Sequence, residues 1–146
     1  MLDQLMSRIS KSTEQPVALT MNEWDLRSNK VRTDESGIGD LIADILLISM
    51  ERELRSQSEK EMDATVSAGG RMADCCIICG GSLRSDSVFG PGVITLGNLI
   101  EIMPFEDAIV DKELRGQDIW DALENGFSTY PKQEGRFPQV AGCLLY

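Results

Sequence analysis

Ala73-Asp74-Cys75-Cys76-Ile77-Ile78-Cys79-Gly80-Gly81-Ser82-Leu83-Arg84 is the stretch on which the reading of this sequence turns. The run from Ala73 to Cys79 is short, apolar and followed by glycines, which predicts a buried β-strand. Gly80-Gly81 ends it. Two glycines let backbone come close to a ligand and leave N–H groups available to donate. Arg84 then brings a guanidinium that can make a forked contact with a phosphate or ribose oxygen. The plainer reading is a turn followed by a surface charge. The stretch is not a P-loop, because the Gly-Lys-Ser/Thr ending is missing. On such a strand Cys75 and Cys79 share a face but lie roughly 13 Å apart, too far to pair or to share one metal without a bend. The thiols are therefore read as buried and reduced, which leans towards a cytoplasmic setting. A disulfide to Cys143 would instead imply an oxidising compartment.

Upstream of this stretch, Gly37-Ile38-Gly39-Asp40 opens a strong helix running to about Arg55. Leu41, Ile42, Ile45, Leu46 and Leu54 trace its buried side, and Leu47 and Ile48 widen the stripe so far that other layers should cover it. Glu51 to Asp63 reads as a solvated helix end and loop, and Ser67 to Gly70 breaks the chain. Asp25 to Ser36 is polar and loop-like, and Val17 to Met21 looks like a short strand. Leu2, Leu5, Met6 and Ile9 predict an amphipathic helix before Pro16.

Downstream, Phe89-Gly90-Pro91-Gly92 is a turn cluster. Thr95 is the N-cap of a helix to about Ile102, which Pro104 stops. Ala108 to Leu114 reads as a strand. Ile119, Leu123 and Phe127 stand at i, i+4 and i+8, so Gln117 to Phe127 is a helix. Gly135 to Gln139 is a loop, and a further strand begins at Val140. Helices alternate with strands, which predicts a mixed α/β (α+β) domain.

Composition narrows the chemistry. The chain has 146 residues, a net charge of -10 and 42% apolar residues. That size suits one domain with a sizeable core. The acidic balance opposes nucleic acid or anionic membrane as a partner, though one well-placed Arg can still hold a phosphate. No window is long and apolar enough for a membrane span, and the first residues lack the pattern of a signal peptide. There is no histidine. Ser-His and Cys-His nucleophiles, His-bearing zinc sites and the usual neutral-pH base are thereby excluded.

Three other places could carry function. In Ile102-Met103-Pro104-Phe105-Glu106-Asp107 a proline fixes the next side chain, so Phe105 could stack on a flat base or simply pack into the core. Arg27, Lys30 and Arg32 form a basic patch suited to an anion or to an ordinary exposed loop. The acidic pairs Glu106-Asp107 and Asp111-Glu113 lack the further ligand that a metal site needs.

Taken in order, the basic loop, Gly39-Asp40-Leu41-Ile42-Ala43-Asp44, Gly80-Gly81-Ser82-Leu83-Arg84, Gly92-Val93-Ile94-Thr95, Pro104-Phe105, Leu114-Arg115-Gly116, Ala122-Leu123-Glu124-Asn125-Gly126 and Gly135-Arg136-Phe137-Pro138-Gln139-Val140-Ala141-Gly142 form a series. This series resembles the C-terminal domain of 5'-nucleotidases and related nucleotide and UDP-sugar hydrolases. The resemblance implies a partial domain over residues 15–146, incomplete at its C-terminal end, behind a leading helix or linker at residues 1–14. It implies helices layered outside a β core, and a nucleotide or nucleoside ligand. It also implies an N-terminal metallophosphoesterase domain, absent from these residues, in which two divalent metal ions activate the attacking water. This chain itself would hold no cofactor, supply no catalytic residue and hydrolyse nothing alone.

By the same resemblance Arg84 faces the ribose and phosphate, Phe105 stacks one side of the base, and Arg32 belongs to a loop that touches substrate. Gly80 and Gly81 are the family's paired glycines. Cys79 stands where the family has Asn, and a thiol is a poorer partner for a base. Asp107 follows Glu106 where Gly-Asn is usual, adding negative charge beside the ligand, and Gly37 replaces an Asn before the first long helix. These changes keep open two alternatives to a nucleotidase piece: a non-catalytic binding module that retains the fold, and a degenerate chain with no ligand.

Overall fold

The computed structural model describes residues 12–61 and 73–143. The helix expected before Pro16 from Leu2, Leu5, Met6 and Ile9, the break at Ser67 to Gly70 and the last three residues lie outside them. β1 is Pro16–Thr20, β2 Trp24–Asp25, α1 Ser28–Val31 and α2 Gly37–Glu61. β3, Cys76–Cys79, runs into a 3-10 turn at Gly80–Ser82. β4 Val88–Phe89, β5 Gly92–Thr95, α3 Leu96–Ile102, α4 Gly116–Phe127 and β6 Pro138–Ala141 follow. The expected mixture of helices and strands is what the chain adopts.

Among the described residues the strands pair antiparallel in three two-stranded sheets, β1 with β5, β2 with β4 and β3 with β6. In the third, Cys76 faces Ala141 and Cys79 faces Pro138. Helix α2 packs on β6, β3 and β2, α3 on β5 and α4 on β6. The helices thus flank the strands, as a layered arrangement requires.

The core gathers one or two residues from many segments. Leu26, Val31, Ile38, Ile42, Leu83 and Ile102 form one buried cluster, with Trp24, Leu46, Ile78 and Phe89 packed around it. Leu83 and Ile102 are adjacent in sequence to Arg84 and Met103. The residues that aim the candidate site are therefore anchored in the best-packed part of the molecule.

Several sequence expectations need correction. The polar stretch Asp25 to Ser36 is not simply loop: it holds the end of β2 and the short helix α1. Its two apolar side chains, Leu26 and Val31, are both buried. Helix α2 continues past Arg55 to Glu61, because the charged stretch is rich in helix formers. Nor is α2 covered all round: Leu41, Ile45 and Ile48 are exposed. β3 is shorter than expected and only partly buried, with Ile77 and Cys79 facing outwards. A single strand partner and one covering helix leave half of it open. Ala108 to Leu114 is not a strand; the run is exposed, without regular structure among the described residues. Its apolar character gave the right propensity, but among the described residues no neighbouring strand completes a ladder with it. Pro138 and Gln139, expected in a loop, begin β6.

The helix at Thr95 is as expected. The Thr95 hydroxyl accepts from the Asn98 N–H at 3.3 Å, and the Asn98 side chain accepts from the Thr95 N–H at 2.9 Å. This is a reciprocal capping box. α4 opens on Arg115, whose N–H donates to Asp118 at 3.1 Å.

Candidate functional site

Arg84 is placed from two directions. Its N–H donates to the Ile102 carbonyl at 2.8 Å, tying the chain after β3 to the end of α3. Its guanidinium donates back to the Gly81 carbonyl at 3.3 Å. The same tie sets the start of the Met103-Pro104-Phe105 turn. As a result the Arg84 guanidinium carbon lies 5.4 Å from the centre of the Phe105 ring, within cation–π range. Phe105 is 51% exposed. The Phe105 side chain thus stands out of the core as a surface ring with a cation against one face.

Phe105, Asp107, Cys79 and Ser82 line one cavity of about 960 Å³. Leu46, Leu47 and Met50 of α2 give it an apolar side, and the run 108–114 adds Ala108, Ile109, Val110 and Leu114 together with the charged Asp111, Lys112 and Glu113. Arg84 is not part of the wall but reaches Phe105, which is. The space is larger than a nucleoside needs, so the polar, aromatic rim is the part whose chemistry suits a small ligand. Asp107 forms no hydrogen bond or ion pair among the described residues, Arg84 included.

Gly80 and Gly81 act differently from the expectation of free amide donors. The Gly80 N–H donates to Phe137 O at 2.7 Å and the Gly81 N–H to Gly135 O at 2.8 Å. A Cβ at Gly80 would overlap the Val31 carbonyl, and one at Gly81 would sit 2.7 Å from the Gly135 Cα. The glycines let three backbone segments meet, and both amides are already engaged. They shape the site from beneath.

Arg32 lies near Asp86, in the Ser85–Ser87 loop that follows Arg84. Asp86 accepts from the Ser28 N–H at 2.6 Å, and the Leu26 N–H donates to Ser87 O at 2.9 Å. Asp86 is held below the usual carboxylate range by its Ser28 hydrogen bonds first, with smaller contributions from Arg32 and Arg27. Ser85 and Asp86 both have positive φ, at 93° and 52°, a conformation that costs non-glycine residues energy. The Arg32 Nε and the Ser85 hydroxyl are buried without a hydrogen-bond partner among the described residues. The basic patch is otherwise paired: Arg27 with Asp25 at 2.6 Å, and Lys30 with Asp34.

One residue that holds this end together had no place among the sequence candidates. Gln139 is 1% exposed. Its carbonyl accepts from the Ser36 N–H at 3.1 Å, and its amide donates to Val31 O at 3.1 Å and Asp34 O at 2.8 Å. One side chain from β6 thus fixes the loop carrying Arg32 and the start of α2. The signal was a lone amide between Pro138 and Val140 in an apolar stretch.

The cysteines are free thiols. Burial pushes Cys75 and Cys76 above the usual thiol range, which disfavours the reactive thiolate. Among the described residues no group of three or more Cys, Asp and Glu side chains is placed to hold a metal ion. No described helix is long and apolar enough to cross a membrane.

Comparison with known proteins decides what this arrangement belongs to. The family model of the 5'-nucleotidase C-terminal domain matches residues 10–146. The chain belongs to that family. It is 33% identical over 141 residues to the trifunctional nucleotide phosphoesterase protein YfkN of Bacillus subtilis (strain 168), covering 97% of this chain and 8% of that protein. It is 26% identical to the 5'-nucleotidase of Homo sapiens, across 92% of this chain and 22% of that one. The solved structure of a 5'-nucleotidase precursor from Thermus thermophilus superposes with a TM-score of 0.74 at 28% identity, over 97% of this chain and 24% of that chain. This 5'-nucleotidase C-terminal domain therefore spans at most about a quarter of the length of these relatives. Its mixed helix-and-strand fold is that of the domain in the solved relative.

Proposed function

We propose that this domain is the nucleotide-binding part of a 5'-nucleotidase-type phosphohydrolase. It would position a nucleoside monophosphate for hydrolysis by a separate metallophosphoesterase domain with two divalent metal ions. Residues 15–146 form the binding unit, and residues 1–14 lead into it. The observation that carries this reading is the Arg84 guanidinium 5.4 Å from the centre of the exposed Phe105 ring. A base can stack on the ring while the guanidinium takes phosphate or ribose oxygens. Arg32, on a loop anchored by Gln139, adds positive charge near Asp86, two residues beyond Arg84. Gly80 and Gly81 set the turn that presents it, and Cys79 and Asp107 border the base. The domain holds the ligand; the water, the metals and the bond cleavage belong elsewhere.

Calorimetric titration of AMP and GMP into the chain tests this. Binding should weaken about tenfold or more in Arg84→Ala, through loss of a charge-assisted contact. Phe105→Ala should weaken it by a similar factor, through loss of stacking. Binding equally tight in both variants would overturn the assignment. A second reading, a binding module that retains the fold without serving catalysis, is favoured by Cys79, whose exposed thiol offers a base little hydrogen bonding. Nucleotide binding with no hydrolysis after fusion to a competent metal domain would select it.

A further inference from the structure

We propose that Asp107 selects the base, favouring a purine that presents two adjacent N–H donors, as guanine does, over bases that present a carbonyl there. The inference rests on the nucleotide-binding reading above and assigns its base edge. Asp107 lines the same cavity as Phe105, Cys79 and Ser82. Its carboxylate is exposed and forms no ion pair with Arg84 or any other described cation. Asp74, Asp111, Lys112 and Glu113 line the same cavity, and its Phe105 side carries Asp107, with Arg84 against the ring. The cation, Arg84, stands over one face of the Phe105 ring, and the anion lies two residues beyond that ring.

A phosphate belongs at the cation and is repelled by the carboxylate. With the phosphate at Arg84, the part of the ligand left to meet Asp107 is the one remote from the phosphate, the edge of the base. An ionised carboxylate only accepts hydrogen bonds. It pairs well with two N–H groups side by side, the N1–H and N2–H2 of guanine. It makes one such contact with hypoxanthine and meets an unfavourable carbonyl in xanthine. The thiol of Cys79 cannot substitute for a second polar partner on this wall. Asp107 is exposed, so the carboxylate keeps its hydration until a ligand arrives, and discrimination is that of a solvent-accessible pair.

The test is titration of GMP, IMP and XMP into the 146-residue chain and into Asp107→Asn, whose exposed side chain is not required for folding. GMP should bind about tenfold more tightly than IMP, the scale of one good bidentate base contact. In Asp107→Asn that preference should fall to within about twofold, and XMP should gain, because an amide can donate to its carbonyl. Equal affinity for GMP and IMP, with binding still dependent on Arg84, would overturn this inference and leave the nucleotide-binding reading standing. A GMP preference unchanged in Asp107→Asn would also overturn it. No binding of any of the three would overturn both.

Discussion

Gln139 shows how one side chain far along the sequence can set the site. Its amide spans Ser36, Val31 and Asp34, and a Cβ on Gly39 would collide with it. Removing it leaves buried backbone groups unpaired, each a costly loss. Gln139→Ala is expected to destabilise the domain by about 2–4 kcal/mol in chemical denaturation. A change below about 0.5 kcal/mol would mean that the loop is held by something else. At this scale the sequence marked Arg84 and Phe105 only as candidates, an arginine after a strand and two glycines and an aromatic after a proline, each with a plainer reading beside it. That they meet was not legible, since it depends on the Arg84 to Ile102 hydrogen bond. Nor was the true use of Gly80 and Gly81, whose amides bond to residues more than fifty positions away.

Among the elements, those that carry their own start and stop signals were readable. α3 is the clear case, with Thr95 and Asn98 capping each other and Pro104 just beyond. Thr95→Ala should cost about 1 kcal/mol of stability, measured by urea unfolding with circular dichroism. No loss would show that the start of α3 is fixed by its pairing with β5 rather than by the cap. Helix α4 was equally legible from Ile119, Leu123 and Phe127. Elements defined by distant partners were not. Ala108 to Leu114 has strand composition but no ladder. β3 has a buried strand's composition yet exposes Ile77 and Cys79. The β6 start at Pro138 is set by its pairing with Cys79. In each case burial or pairing is decided by residues outside the local window.

Across the described residues, the β2–β4 sheet through Trp24 and Phe89 and the β3–β6 sheet through Ile78 pack against one core cluster, and surface ion pairs decorate the segments around it. Asp25, Asp34, Asp118 and Glu134 are held below the usual carboxylate range chiefly by hydrogen bonds from Arg27, Lys30, Arg115 and Arg136 respectively. Asp86 is lowered by Ser28. A lowered carboxyl contributes stability that is present above its unfolded value and lost as pH falls through its folded one. Asp40 works in the opposite sense: burial, with Glu35 and Asp44 nearby, raises it, so acid relieves a small cost. Five lowered groups outweigh one raised group, though most are exposed and individually weak. The thermal midpoint should therefore fall between about pH 5 and pH 2.5, the range in which carboxylates titrate. A midpoint that rises over this range would mean that relief of the -10 net charge dominates instead.

The membership of this chain in the 5'-nucleotidase C-terminal domain family gives the fold, and the central claim is that Arg84 and Phe105 make it a nucleotide holder. The most direct test is the dissociation constant of GMP for the chain beside that for Arg84→Ala, at fixed salt, with both folded by circular dichroism. GMP should bind measurably to the chain and about tenfold or more weakly once the guanidinium is removed. Binding of equal strength in the two proteins, or none in either, would contradict that claim.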